Sequence, residues 1–180
     1  LRRWVAESCI PEAMVGILTA LPGTQLERRL IREGRLVDRA SGATFGRANF
    51  RTKMDEVELL DSYRRVLADI YRPEAYFGRV NRMLELRPTN KGVFSLPWTH
   101  AAACVARSML VQGVLGKYKV AYWRYLWRVL RKTPRRLPRA FSLAIAGEHM
   151  IRYTADDVIP RLGQAIAQVN AESGKARVAA

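Results

Sequence analysis

The stretch Pro11–Leu26, PEAMVGILTALPGTQL, decides the fold class because it contains a strand pattern followed by the start of a helix. Residues 13–18 form a short, continuous apolar run that ends at a Leu-Pro-Gly turn, which is the length and punctuation of a fully buried strand. Thr24 follows as a candidate N-cap, with Glu27 placed to complete a capping box at the start of a helix. The stretch therefore predicts one strand–turn–helix unit.

Helical patterns dominate the rest of the chain. Asp55 is placed to cap one helix, and Pro73 suits the first turn of the next. Further helices are predicted at Trp98–Leu115 (the most apolar, expected to be buried), Lys117–Thr133, Pro138–Ile151 and Thr154 to about Ala171. The predicted fold class is mainly α, a helical domain preceded by one terminal strand–helix unit.

The predicted organisation has four parts. Residues 1–35 form the strand–helix unit, 36–53 a connecting loop, 54–172 the helical domain, and 173–180 a flexible tail of small and polar residues. Because one buried strand cannot form a sheet alone, the sequence is expected to begin inside a domain.

The composition is strongly basic, with a net charge of +15 from 31 lysines and arginines against 16 acidic residues. Such a charge attracts phosphates, although an arginine-rich genome gives the same balance. Cys9 and Cys104 stand far apart, which excludes a disulfide framework and indicates a reducing cytoplasm. No signal peptide is recognised, and no apolar run is long enough to cross a bilayer. A cytoplasmic location is predicted, and a peripheral position at the inner membrane face stays open.

The segment Lys117–Thr133 combines cations with aromatic residues at helical spacing. Its basic residues share one helical face, and Val120, Trp123, Trp127 and Leu130 line the neighbouring face. Such a helix suits a membrane interface, where rings lie at headgroup depth and cations meet anionic lipid. Nucleic acid or a protein partner is an alternative, and so is a tryptophan face packed on the core with solvated arginines. The candidate anionic-surface residues are Lys117, Arg124, Arg128, Arg131 and Arg135.

Several strings, taken in order, resemble one family. Pro11–Leu26 resembles the last strand and turn of the radical SAM partial barrel, where a Pro-Gly-Thr turn precedes a leucine-rich helix. Asn49–Met54, followed by Glu58-Leu59-Leu60, Tyr63-Arg64-Arg65 and Ile70–Tyr76, is similar to one branch of it. That branch comprises radical SAM proteins with a cobalamin-binding domain and an uncharacterised helical carboxy-terminal domain. The resemblance covers roughly residues 1–90, and the remainder is similar only in helical character.

The resemblance implies a partial TIM-type barrel and a parent enzyme that uses a [4Fe–4S] cluster, S-adenosylmethionine and cobalamin. Leu21, Pro22, Gly23 and Thr24 would lie at the carboxyl end of a barrel strand, where barrel enzymes bind ligands, so they are the candidate cofactor-binding residues. A plain turn with a threonine cap is the alternative. An iron–sulfur cluster of this kind needs three closely spaced cysteines, and this chain has two solitary ones. No catalytic or metal-ligating residue is therefore assigned, and no cofactor is expected in this chain itself.

Two functions stay open. In the first, the chain is the carboxy-terminal fragment of a radical SAM protein, a structural domain that completes the barrel and covers the site. Its partners are then the upstream radical SAM and cobalamin-binding domains, and the resemblance implies methylation of an unactivated carbon in a lipid or secondary metabolite. In the second, it is a free-standing basic helical module for an anionic membrane surface, with nucleic acid less favoured because no reading motif accompanies the helix. Whether the chain acts as an enzyme is left undecided. A three-cysteine motif encoded upstream would distinguish the first function from the second.

Overall fold

The computed structural model describes residues 2–38, 47–86 and 98–178. Within these ranges the chain is mainly helical, as predicted, and forms no β-strand. The α-helices described are α1 (Arg2–Glu7), α2 (Gln25–Arg32), α3 (Glu56–Ile70), α4 (Pro73–Leu86), α5 (Trp98–Ser108), α6 (Lys119–Lys132), α7 (Leu137–Tyr153) and α8 (Ile159–Val178). Short π-helical segments occupy Met109–Val114 and Thr154–Val158, and a 3-10 turn occupies Pro134–Arg136.

The helix ends follow the predicted signals with a few differences. Asp55 caps α3, since its Oδ1 accepts a hydrogen bond from the Glu58 N–H at 3.0 Å. α6 begins at Lys119, so Lys117 lies in the turn before it and not on the predicted helical face. α8 continues to Val178, into the segment predicted to be a flexible tail.

The segment predicted to be a strand, residues 13–18, has neither helix nor strand structure. From Pro11 to Thr19 half-buried and exposed residues alternate, which is the period of an extended chain. A strand is defined by its pairing, and no described segment pairs with this one. The isolated antiparallel bridge between Leu36 and Phe50 lies elsewhere.

The chain divides into two compact units: Leu1–Ala13 with Asp69–Tyr153, and Met14–Ala68 with Thr154–Ala180. In the first unit, α4 packs against α6 and α7. Its core is aromatic: Phe77 stacks on Tyr125 with ring centroids 4.7 Å apart, and the fully buried Tyr76 donates its hydroxyl to the Leu143 carbonyl at 2.7 Å. Aromatic rings of this size account for much of the buried apolar area.

The second unit has a mostly aliphatic core. Its buried apolar residues include Leu30, Leu60, Leu67, Val158, Leu162 and Val169, together with Ala20 and the aromatic Tyr63. Arg47 links two helices of this unit, since its guanidinium donates to Glu56 at 2.6 Å and to Glu172 at 2.9 Å. The hydrogen bond to Glu56 raises the pKa of Arg47 more than its burial lowers it.

The prediction that the Trp98–Leu115 segment is a buried helix is wrong for α5. Ala101–Cys104, Ala106 and Arg107 are exposed, and the buried positions begin at Ser108. The segment reads as apolar because it is rich in alanine, and a methyl side chain buries little area and so does little to drive a helix into a core.

Candidate functional site

The segment that leads to the predicted cofactor-binding turn is held in the second unit by side chains. The Tyr63 hydroxyl donates to the Val15 carbonyl at 2.8 Å. Asn49, only 3% exposed, pairs with Ala20 in both directions: its side-chain oxygen accepts the Ala20 N–H and its amide donates to the Ala20 carbonyl, each at 2.9 Å. This exchange of two hydrogen bonds reproduces what a residue on a neighbouring strand would make.

The residues just before that segment are held in the first unit. Arg79 of α4 is 2% exposed, and its guanidinium donates to the carbonyls of Ile10 at 3.0 Å and Pro11 at 3.2 Å. Tyr71 donates its hydroxyl to the Ala13 carbonyl at 2.8 Å. Burial lowers the pKa of Arg79, and the carbonyl oxygens replace the water that the guanidinium loses.

Apart from these anchors and a 3.5 Å hydrogen bond from the Thr19 hydroxyl to the Ile17 carbonyl, the backbone of residues 12–19 has no partner among the described residues. It makes no backbone–backbone hydrogen bond to another residue within the described ranges. Two of its apolar side chains lie in solvent, Met14 with 91% and Leu18 with 65% exposure. An exposed strand edge typically has backbone groups without partners next to exposed apolar side chains, and another strand can pair with it.

The four predicted cofactor-binding residues, Leu21 to Thr24, form the turn into α2. Thr24 Oγ1 donates to the Leu21 carbonyl at 2.7 Å and accepts the Glu27 N–H at 3.2 Å. Glu27 Oε2 accepts the Gly23 N–H at 2.7 Å, so the predicted capping box forms with its carboxylate bond one residue before the cap. Gly23 has φ +79, a left-handed conformation that favours glycine. Leu21, Pro22 and Gly23 are exposed, and the Gly23 carbonyl accepts a hydrogen bond from the Arg28 guanidinium at 3.1 Å. Its role towards a cofactor stays a prediction.

α6 packs in the first unit through its tyrosines. Its buried residues are Ala121, Tyr122, Tyr125, Leu126 and Val129. The Tyr125 hydroxyl donates to the Ala140 carbonyl at 2.8 Å, and the Tyr122 hydroxyl lies 3.0 Å from Ser108 Oγ. Burial raises the pKa of both phenols.

The alternative in which the tryptophan face packs on the core is therefore wrong. Val120, Trp123, Trp127 and Leu130 are exposed by 66%, 45%, 63% and 48%. The tyrosines are buried in their place, and the hydroxyls of Tyr122 and Tyr125 reach Ser108 and the Ala140 carbonyl.

The predicted anionic-surface residues lie in different settings. Arg124 and Arg131 are exposed on α6, and neither forms an ion pair with a described residue. Arg128 binds Glu85 at 2.8 Å, and this hydrogen bond lowers the pKa of the carboxyl. Lys117 and Arg135 are exposed just before and just after the helix.

The two tryptophans of α6 are held differently. Trp123 donates its indole N–H to the Gly113 carbonyl at 2.9 Å, and a Cβ at Gly113 would come within 2.9 Å of the Trp123 ring. Trp127 makes no hydrogen bond to another described residue and points its larger part to solvent.

Metal-binding side chains do not gather anywhere in the described part of the chain. No group of three His, Cys, Asp or Glu there could hold a metal ion, and Cys9 and Cys104 are free thiols. Among the described helices, none combines the length and apolar character that a membrane span requires.

Sequence reasoning missed the residues that hold the extended segment, namely Asn49, Tyr63, Tyr71 and Arg79. One of them had a signal in the sequence: Arg79 interrupts the apolar face of α4 between Tyr76 and Val80. The others look like ordinary loop or core residues, and their contacts lie far along the chain.

These features define a mainly helical chain with one extended segment and a helix, α6, that exposes a basic and aromatic face. Residues 24–158 match the family described as a domain of unknown function (DUF4070), and the chain belongs to that family. The family resemblance predicted from the sequence is thereby confirmed.

Two curated relatives are similar over most of this chain. It is 28% identical over 159 residues to an uncharacterised methyltransferase of Synechocystis sp., covering 84% of this chain and 29% of that protein. It is 27% identical over 163 residues to the hopanoid C-2 methylase of Rhodopseudomonas palustris, covering 87% of this chain and 30% of that protein. The chain thus spans about 30% of the length of these relatives. No solved structure matches it significantly.

Proposed function

We propose that this chain is the carboxy-terminal part of a radical SAM methylase, in which it completes the barrel and covers the reaction site. The extended segment, residues 12–19, carries the proposal, because it makes no backbone–backbone hydrogen bond to a described residue and exposes Met14 and Leu18, which fits a strand whose neighbour belongs to another part of the enzyme. The two methylase relatives, of which the chain spans about 30%, support it.

The partner is the upstream radical SAM part of the same enzyme. Tyr63 and the Asn49 amide already fix Val15 and Ala20 in the second unit. A neighbouring strand would therefore meet a backbone that is largely ordered, which reduces the entropy lost on pairing. The new strand would supply hydrogen bonds to the backbone of the segment, and other parts of the upstream region packed on the same face would cover the two apolar side chains.

The turn Leu21–Thr24 follows that segment at its carboxyl end, the side of a barrel where ligands bind. In this proposal the [4Fe–4S] cluster, S-adenosylmethionine and cobalamin are held by the upstream cobalamin-binding and radical SAM domains and supply the methyl-transfer chemistry. The turn's own hydrogen bonds, between Thr24, Glu27 and Gly23, keep it rigid beside that site. The substrate class we propose is a lipid or secondary metabolite with an unactivated carbon, and the hopanoid relative favours a lipid.

Hydrogen exchange tests the proposal directly. We would measure amide exchange in the 180-residue chain alone and in a mixture with the separately produced polypeptide encoded before Leu1. We expect the amides of residues 14–19 to slow by about tenfold or more in the mixture, because strand pairing protects them, while the amides of α7 keep their rates. Unchanged exchange at residues 14–19, or an upstream frame without a three-cysteine motif, would overturn the proposal.

The alternative is a free-standing basic module. The exposed tryptophan face of α6 favours a docking role for this helix. A free-standing module, however, does not explain why the extended segment makes no backbone pairing with a described residue. The same upstream reading frame decides between the two functions.

A further inference from the structure

α6 presents large apolar side chains and arginines to solvent on one side. At about 100° per residue, Leu130, Trp123, Trp127 and Val120 follow one another around the helix, opposite the buried tyrosines, and Arg131 and Arg124 come next on the same side. We call these six residues the basic–aromatic face. The four apolar members are 45–66% exposed, which is unusual for a set of this size on one helix.

A second element, next to α6, also exposes apolar side chains. The π-helical segment Met109–Val114 is joined to α6 by the hydrogen bond from Trp123 to the Gly113 carbonyl. On and next to this segment, Leu110, Val114 and Leu115 are exposed by 53%, 58% and 72%. The tryptophan ring thus fixes two exposed apolar elements to each other.

The surroundings of the face are positively charged. Lys119 lies on the helix itself, and Lys117 and Arg135 lie at its two ends. None of these cations, nor Arg124 or Arg131, forms an ion pair with another residue in the described ranges. The nearby carboxylate of Glu85 is occupied by Arg128 at 2.8 Å and by Lys132 at 3.7 Å.

We propose that the basic–aromatic face docks on an anionic lipid surface, such as the inner face of a cell membrane. A lipid interface offers both chemistries that the face requires, because acyl chains cover the tryptophan and leucine side chains while headgroup phosphates meet the arginines. A nucleic-acid backbone would satisfy the arginines but leave the aliphatic residues in water. A second copy of the chain, docked through the same face, would place its own arginines against the arginines of the first copy, and the like charges would repel. The face belongs to α6 alone, so this inference holds whether or not the chain is part of a methylase.

Vesicle flotation tests the proposal on the 180-residue chain. We expect the chain to float with phosphatidylcholine vesicles that contain phosphatidylglycerol and to stay unbound with phosphatidylcholine alone. The double variant Arg124→Gln/Arg131→Gln is expected to bind about 25-fold more weakly, since each cation near an anionic surface contributes roughly a fivefold gain in affinity. High salt should have a similar effect because the attraction is screened.

A second variant separates the aromatic contribution from the charge. Trp127→Ala removes a ring that makes no hydrogen bond in the described structure, so the fold is retained, and circular dichroism checks this. We expect about tenfold weaker binding to the anionic vesicles, because the inserted apolar area is lost. The charge control is Arg29→Gln/Arg65→Gln, which removes two positive charges from exposed side chains of α2 and α3 that pair with Glu33 and Asp61, and it should bind like the parent chain.

Four results would overturn the proposal. Binding could be unchanged in both face variants, or it could fall equally in the Arg29/Arg65 control, which would reveal a general charge effect. The chain could bind neutral and anionic vesicles alike. It could also bind neither kind of vesicle, and loss of binding to a polynucleotide, to the upstream polypeptide or to a second copy in Trp127→Ala would then identify the occupant of the face.

Discussion

At the scale of single residues, Asn49 gives Ala20 the two hydrogen bonds that a neighbouring strand would give. The pairing is buried, so neither group can turn to water if the other is removed. A residue in an otherwise irregular stretch thereby fixes the end of the extended segment and the start of the turn into α2.

We expect Asn49→Ala to lower the free energy of unfolding by about 1–3 kcal/mol, because the Ala20 N–H and carbonyl are left buried and unpaired. Urea unfolding measures the loss, and exchange of the Ala20 amide should quicken. Asn170→Ala, at an exposed position of α8, is the control and should be neutral. Equal stability of the two variants would show that the pairing contributes nothing.

Gly147 of α7 lies against Tyr76 of α4. A Cβ at this position would come 2.1 Å from Tyr76 Cε1, which is impossible without movement of the ring or the helix. Because Tyr76 is fully buried and donates to Leu143, neither can move easily.

We expect Gly147→Ala to destabilise the chain by about 1–3 kcal/mol through overpacking. Gly78→Ala is the matched control: it lies in α4 with no atom within 4 Å of the added methyl, and it should stabilise by about 0.5–1 kcal/mol as alanine replaces glycine in a helix. Thermal unfolding of both variants measures these changes. A Gly147→Ala protein as stable as the parent chain would contradict the close packing of Gly147 on Tyr76.

At the scale of elements, α6 shows what the spacing of apolar residues in a sequence can predict about a helix and what it cannot. The spacing of Trp123, Trp127 and Leu130 correctly places them on one face beside the arginines. It does not say which face meets the core, since tyrosine and tryptophan are both large and amphipathic. The partners of the buried tyrosine hydroxyls, the Ala140 carbonyl and Ser108, lie outside α6, and no local pattern in the helix reveals them.

The buried tyrosines make the first unit sensitive to alkali. Burial raises the pKa of Tyr118 to about 12 and raises the pKa of Tyr76 and Tyr125 as well. Unfolded tyrosine ionises near pH 10, so above about pH 10 the unfolded chain loses protons that the folded chain retains. Stability that is fully present below about pH 10 is therefore lost as the pH rises towards the folded pKa values.

We expect the urea midpoint to fall steeply above about pH 10, with phenolate absorbance appearing together with the loss of helical circular dichroism. Tyr125→Phe removes one of these groups and should make the decline shallower. The burial would be refuted if the phenols ionised at their ordinary pH while the helices stayed intact.

At the scale of the whole molecule, some features of the extended segment could be predicted from the sequence and others could not. The apolar run, the Pro-Gly-Thr turn and the capping box were all legible, and each is local. The anchors Asn49, Tyr63 and Arg79 could not be read because they contact residues 29, 48 and 68–69 positions away along the chain. The strand itself could not form among the described residues, since pairing needs a neighbour.

The double variant Met14→Lys/Leu18→Lys tests the proposed contact with the upstream part of the enzyme. Both side chains are exposed in the chain alone, so its stability should change by less than about 0.5 kcal/mol. Association with the upstream polypeptide should weaken strongly, because two charges would be buried on pairing. Pull-down and urea unfolding measure the two effects, and unimpaired association would place the contact elsewhere.

The most direct measurement is iron–sulfur reconstitution followed by an assay for 5′-deoxyadenosine from S-adenosylmethionine. We expect the 180-residue chain to produce none by itself, since it has only two cysteines, and the upstream polypeptide to gain activity when the chain is added. Formation of 5′-deoxyadenosine by the chain alone would contradict the proposal that the upstream part holds the cluster. Full activity of the upstream polypeptide without the chain would contradict the proposal that the chain completes the barrel.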